Sequence, residues 1–332
     1  MDWSETRKLL LNFATGRRSD HPDSAETLDE QIAEGFDRNG ELSFSVKNGN
    51  ALVRPKAPRN LLSAPRAASL CIASGKGGTG KSIVTASLSN LFAARGRTLI
   101  LDGDLGVGNA HILQDVSPPH SLVDVVEGEA SVRDVLVRCS ESCDLLAGGS
   151  GFPRMAALSD FEMHLIAEGV QELEHEYRFM LLDSAAGVSR QTLAFSRACD
   201  QTLMVTTPDL TAMTDAYAFL KVLMGKKPEP RPLLLVNRAH SEEEAREVSQ
   251  RIVKVCQRFL GAAPRYIGWL PEDEQVIDCV NRRGAVTLLE PYAPSSRAFR
   301  RVAVTLLEEL GKHHPAGLGQ KLVDVVDYSR MK

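Results

Sequence analysis

Residues Ser74–Ser82, SGKGGTGKS, set four glycines and two lysines between an apolar run, AASLCIA, and a helix-like run, IVTASLSNLFAA. They fit the pattern G-x-x-x-x-G-K-[ST] through Gly75, Gly80, Lys81 and Ser82. Gly75, Gly77, Gly78 and Gly80, with Thr79 among them, allow the backbone to curl so that its N–H groups point at phosphate oxygens. The helix expected from Lys81 adds its positive dipole end. Lys81 is suited to neutralising β and γ phosphates, and Ser82 to ligating Mg²⁺. A glycine-rich turn with a chance lysine would not require a strand before it and a helix after it. A second lysine, Lys76, opens the loop, and the pattern assigns it no task.

Three further sets of polar residues stand at the ends of apolar runs. LILDGDLG (99–106) releases Asp102 and Asp104 together. Paired carboxylates beside a metal–nucleotide can hold metal waters and orient an attacking water; a pair of turn-forming aspartates is the plainer reading. FMLLDSAAG (179–187) ends an apolar run in Asp183, whose carboxylate would reach Mg²⁺ directly or through water, and Gly187 frees the loop that follows. LLLVNR places Asn237, and YIGWLPEDE places Pro271, at two more run ends. An amide can pair with a purine edge and a proline ring can cover its face, although each is equally a turn residue.

These positions make sense only on a particular scaffold. Apolar runs recur at SLCIAS, TLILD, CDLLAG, FMLLDSA, QTLMVTT, PLLLVNR and YIGWLP, nearly continuous as strands buried on both faces should be. Helical patterns lie between them at Ser82–Arg95, Asp160–Glu174, Arg190–Ala198, Ala212–Leu223, Glu242–Leu260, Asp273–Asn281 and Ser295–Leu310. The alternation predicts an α/β fold, a doubly wound and mainly parallel sheet, whose ligands sit beyond the carboxyl ends of the strands. All the chemistry above falls at those ends.

The chain has 332 residues, 43% of them hydrophobic, enough for one large α/β domain with appendages. A net charge of −4 argues against a general affinity for nucleic acid. Six cysteines are scattered; only Cys139 and Cys143 are close, and no second pair completes a metal site, so they read as reduced thiols of a cytosolic protein. No cleavable leader and no run of about 18 apolar residues is present. Residues 1–65 hold ten acids and nine bases and end in a proline-bearing linker. They are expected to be an irregular, partly disordered extension, with helical stretches at Ser4–Phe13 and Ala25–Phe36. The nucleotide-binding domain is expected over 66–311 and an amphipathic tail over 312–332.

KGGTGKS (76–82) resembles the deviant Walker A motif of the ParA/MinD group of P-loop ATPases, DGDLG (102–106) its switch I, and DSAAG (183–187) its switch II. The match runs through about 66–310. Within the group, three stretches are most similar to the FlhG (FleN, YlxH) branch that governs flagellar number and placement: DLGVGNAHILQDVSPPHSLVDVVEGE, TTPDLTAMTDAYAFLK, and residues 236–303. The resemblance implies ATP and Mg²⁺, slow hydrolysis, and a face-to-face homodimer formed with ATP. It implies that Lys76 crosses the dimer interface to the partner's phosphates, which would give the second lysine its task. It further implies that Asp104 orients the water, that Asp102 accompanies it near the Mg²⁺ shell, and that Asn237 and Pro271 contact adenine.

The branch also implies a flagellar regulator or an FlhF-like GTPase as partner. The nearest match to its N-terminal docking motif is LDEQIAEGFDR (28–38), with Glu30-Gln31-Ile32 departing from the family pattern. In the tail, Leu318, Leu322, Val325 and Val326 share one helical face. That face is expected to pack on the body or a partner, with a peripheral site at the inner face of the cell membrane as the alternative. Asp324 and Asp327 oppose binding to anionic lipid. The competing reading is a ParA-like partition protein that binds DNA non-specifically as an ATP dimer, through Arg282, Arg283, Arg297, Arg300 and Arg301. Iron–sulphur carriers, bacterial tyrosine kinases and a nucleotide-binding protein without turnover are the remaining alternatives.

Overall fold

All seven apolar runs are strands of one sheet. The computed structural model describes residues 66–106, 108–149, 155, 158–225, 230–312, 315 and 317–330. The expected helices at Ser4–Phe13 and Ala25–Phe36 lie outside them. In chain order the elements are β1 (Ala68–Ser74), α1 (Lys81–Ala93), β2 (Thr98–Gly103), α2 (Ala110–Leu113), α3 (Leu122–Val126), β3 (Leu136–Ser140), β4 (Cys143–Leu146), α4 (Asp160–Leu173) and β5 (Phe179–Ala186). There follow α5 (Arg190–Ala198), β6 (Gln201–Thr206), α6 (Leu210–Met224), β7 (Leu233–Ala239), α7 (Glu242–Leu260), β8 (Arg265–Pro271), α8 (Glu274–Asn281), α9 (Val286–Leu289), α10 (Pro294–Gly311) and α11 (Leu318–Arg330).

The strand order is β3-β4-β2-β5-β1-β6-β7-β8. Every pairing is parallel except β3 with β4, an antiparallel hairpin at one edge. Sequence patterning passed over β3 because its residues are half-exposed and carry Arg138 and Ser140 rather than an apolar run. It also passed over α2, α3 and α9, which are four or five residues long and too short to show a helical period.

Alternate residues of the central strands feed two cores. Leu70, Ile72, Leu181, Leu203 and Leu235 pack with Val84, Leu88 and Phe92 of α1 and with Phe299, Val302 and Leu306 of α10. Cys71, Ala73, Leu101, Leu182 and Met204 face α4, α5, α6 and α7 on the other side. Caps set the helix starts: Ser159 and Glu162 form a reciprocal capping box on α4, and Ser241 caps α7 ahead of Glu242, Glu243 and Glu244.

The C-terminal segment belongs to the second of these cores. Leu318, Leu322 and Val326 of α11 are buried within it, and α11 packs on α4 and α5. Lys321 Nζ reaches the buried Asp200 at 2.7 Å, and Gly319 N donates to the buried Glu174. The expected apolar face therefore has the body as its cover. No helix among the described residues is long and apolar enough to cross a membrane.

Candidate functional site

The sheet brings the polar strand ends together. The chain leaves β1 toward β2 on one side and, after β6, continues to β7 on the other, which opens a crevice at the carboxyl end of β1. The loop between β1 and α1 fills that position. Ser74 Oγ donates to the Lys76 carbonyl at 2.7 Å, and Gly187 N, from the end of β5, donates to the Ser74 carbonyl at 3.0 Å. Gly75 lies against the backbone of Asp215 in α6. Gly77 and Gly78 face open space. Gly80 is the N-cap of α1 at φ 91°, and no side chain caps that helix. A Cβ there would stand 2.4 Å from Asn237 Nδ2, so position 80 excludes any side chain on two counts. The uncapped N–H groups of α1 point where an anion would sit.

Beneath this loop lie an ammonium group and two buried carboxylates. Lys81 is almost fully buried; burial lowers its pKa, while Asp183 and Asp104 hold it up. Asp102 and Asp183 are register partners on β2 and β5, exposed by 1% and 2%. Burial pushes the Asp183 carboxyl up to about 6, against the Ser82 hydroxyl and the Lys81 ammonium, which favour its charged form. Asp183 Oδ1 has no hydrogen-bond partner among the described residues. A buried carboxylate oxygen left unpaired beside a serine hydroxyl is costly in the protein alone and is the donor set a hard divalent cation takes. The residues thus fit Mg²⁺.

Asp102 has two backbone partners. Its Oδ1 accepts from Asp104 N and its Oδ2 from Ala110 N, each at 3.2 Å. Burial, and then the neighbouring Asp183, raise its pKa well above the ordinary carboxylate value. The loop that carries Asp104 is wound on this one side chain. Gly108 passes so close that a Cβ would lie 2.4 Å from Asp102 Oδ2. Asp102, expected as a companion near the Mg²⁺ shell, stands beside Asp183 in register and also holds the backbone at Asp104 and Ala110. Asp104 itself is half-buried and within electrostatic reach of both Lys81 and Asp183.

Asn237 stands on β7 beside β8, where Ala239 pairs with Pro271. Its Nδ2 donates to the Thr79 carbonyl at 2.8 Å and its Oδ1 accepts from Arg238 N at 3.0 Å. It therefore braces the phosphate loop, a contact that run-end reasoning did not foresee. Arg238 takes φ 59° and turns out to an ion pair with Glu272 at 2.7 Å. Lys76 lies apart from the other loop groups: its Nζ donates to Thr211 Oγ1 in the first turn of α6 at 2.8 Å. Thr211 was missed because its stretch, TTPDLTAMTD, offers only a helix start, with Asp209 at the N-cap.

Among the described residues no group of three or more His, Cys, Asp or Glu side chains could hold a metal ion by itself, and all six cysteines are free thiols. Cys139 and Cys143 sit on the β3–β4 hairpin at the sheet edge.

Residues 70–286 match the family described as the CobQ/CobB/MinD/ParA nucleotide binding domain. The chain is 34% identical over 235 residues to the antiactivator FleN of Pseudomonas aeruginosa, covering 70% of this chain and 84% of that protein. It is 27% identical over 246 residues to the flagellum site-determining protein YlxH of Helicobacter pylori, covering 73% and 82%. In fold it is similar to the septum site-determining protein MinD of Pyrococcus horikoshii, a complex with Mg-ADP, at a TM-score of 0.61 and 24% identity, over 72% of this chain and 96% of that one.

Proposed function

The chain belongs to the CobQ/CobB/MinD/ParA nucleotide-binding family, and from that premise we propose that it is an ATP-hydrolysing switch that dimerises with ATP and sets the number or placement of flagella. The observation that carries the nucleotide reading is the cluster of buried Lys81, half-buried Ser82 and the unpaired oxygen of buried Asp183 under an uncapped helix N-terminus. The flagellar output rests on the likeness to FleN and YlxH.

Each side chain then has a definable task. The loop N–H groups and Lys81 bind the β and γ phosphates of ATP. Ser82 and Asp183 hold Mg²⁺, which when bound neutralises charge on the phosphate oxygens. Asp104 orients a water for in-line attack on the γ-phosphorus; ADP leaves and phosphate is released. Asp102 keeps Asp104 in place through the two backbone bonds. Asn237 holds the loop at Thr79 and, with Pro271, covers adenine. Lys76 enters the phosphates of the facing subunit, so full transition-state stabilisation requires two ATP-loaded copies. Such a device is slow by design, because a switch must keep its state between partners.

The test is solution mass by light scattering for wild type, Asp104→Ala and Lys76→Ala, each with ADP and with ATP–Mg²⁺. Asp104→Ala should be a dimer with ATP alone, and Lys76→Ala a monomer with both. Equal masses with ATP and ADP in all three proteins would overturn the switch.

A further inference from the structure

A separate feature lies on α8, α9 and the first turns of α10. Three of the largest exposed apolar side chains fall within sixteen consecutive residues: Ile277 (58% exposed), Leu288 (65%) and Tyr292 (58%). Ile277 stands on α8 and Leu288 on α9, which touch each other. In turn α9 touches α10, and Tyr292, just before α10, is within electrostatic reach of Arg300. Exposed apolar side chains on neighbouring elements mark a contact surface more often than scattered single residues do. Arg297, Arg300 and Arg301 follow at once on α10. Arg282 and Arg283 are neutralised by Glu290 at 2.8 Å and Asp115 at 3.2 Å. Among the described residues Arg297 and Arg301 form no ion pair. Burial and the charges of Arg297 and Arg301 press the Arg300 guanidinium pKa down, with Tyr292 opposing them. The face thus combines exposed apolar groups with an excess of positive charge.

We propose that this face binds residues 28–38 of the same chain, LDEQIAEGFDR. The segment has the complementary chemistry: Asp29, Glu30, Glu34 and Asp37 against a single Arg38, with Leu28, Ile32 and Phe36 recurring every fourth residue. It can reach. The 28 residues from Arg38 to Arg66 span up to ~90 Å when extended, and α10 is only ~27 Å long. A tether of this length supplies an effective concentration on the order of 1 mM, so an intrinsic dissociation constant of ~0.1 mM would keep the face about 90% covered. Nucleic acid is the poorer occupant. Glu274, Asp278 and Glu290 stand on or beside the same elements, and few arginines are left for the phosphate neutralisation that drives such binding. The inference is independent of the nucleotide reading, and its test needs no ATP.

The experiment is hydrogen–deuterium exchange on the full chain, read over residues 286–301. Arg297→Glu with Arg301→Glu should speed exchange there by up to ~10-fold, the factor that the tether arithmetic allows. Glu30→Arg with Glu34→Arg should do the same, and all four changes together should restore wild-type protection. Fluorescein-labelled peptide 28–38 should bind the Glu30→Arg/Glu34→Arg chain and fail to bind Arg297→Glu/Arg301→Glu. Three results would overturn the proposal: unchanged exchange in Glu30→Arg/Glu34→Arg, no restoration in the fourfold variant, or protection that rises with protein concentration, which would assign the face to a second copy. Unchanged exchange together with arginine-dependent sedimentation on phosphatidylglycerol vesicles would assign it to lipid.

Discussion

Lys76 Nζ donates to Thr211 Oγ1 at 2.8 Å, a contact between residues 135 positions apart. It ties the first turn of α6 to the phosphate loop within one subunit. On the proposed reading Lys76 serves the partner's phosphates, so it must leave Thr211 when two subunits meet. The threonine is then a competitor for the lysine and holds the monomer in its resting state.

Thr211→Val removes that competitor. A hydrogen bond of this kind contributes about 1 kcal/mol, a factor of about five in an equilibrium constant. ATP-dependent dimerisation should tighten by up to that factor, while ADP affinity stays as in wild type. The measurement is ATP turnover per subunit as a function of protein concentration. Weaker dimerisation in Thr211→Val would show that the threonine guides the lysine across.

The Asp183 carboxyl gives the nucleotide-free protein a signature in pH. Its pKa rises from 3.8 to about 6 on folding, so the folded state binds its proton more tightly than the unfolded chain does. The stabilising effect of that proton is present at low pH and is lost as pH climbs from 3.8 through about 6, and above that the burial cost of the charge is felt in full. Urea unfolding of the nucleotide-free protein should therefore show lower stability at about pH 7.5 than at about pH 5.5, with a smaller difference in Asp183→Asn. Mg²⁺ needs the ionised form, so Mg²⁺-dependent ATP affinity should fall as pH drops below about 6 in wild type. Equal pH slopes in wild type and Asp183→Asn would refute the assignment.

The C-terminal helix is a core element with a measurable contribution. Leu322 is fully buried between α4 and α5, and Leu322→Ala should cost about 2–4 kcal/mol in thermal or urea unfolding. Lys321→Ala removes the ammonium from the buried Asp200, which also accepts from Ser69 N and Ser69 Oγ, and should loosen α11 as well. Exchange of the α11 amides should rise in both variants. A Leu322→Ala loss below about 0.5 kcal/mol would mean that α11 leaves the body at little cost.

Much of this was legible along the chain. All seven apolar runs became strands and all seven long helical patterns became helices, because residues buried on both faces and residues on one helical face leave periods that need no knowledge of neighbours. The β3 edge escaped because a half-exposed strand has no such signature. The tail was legible as amphipathic, but its cover was not.

Residue type and spacing by themselves determined the phosphate loop, since glycine freedom, one lysine and one serine act within nine residues of backbone. The same holds for the aspartates at strand ends and for the family likeness that they carry. Tertiary structure alone decided what those groups touch. Asp102 serves the loop backbone, Asn237 braces Thr79 across 158 residues, and Lys76 rests on Thr211. Spacing encodes only short-range geometry; a hydrogen bond between distant residues depends on which strands lie side by side, and that order, β5-β1-β6-β7, is set by packing both faces of the whole sheet.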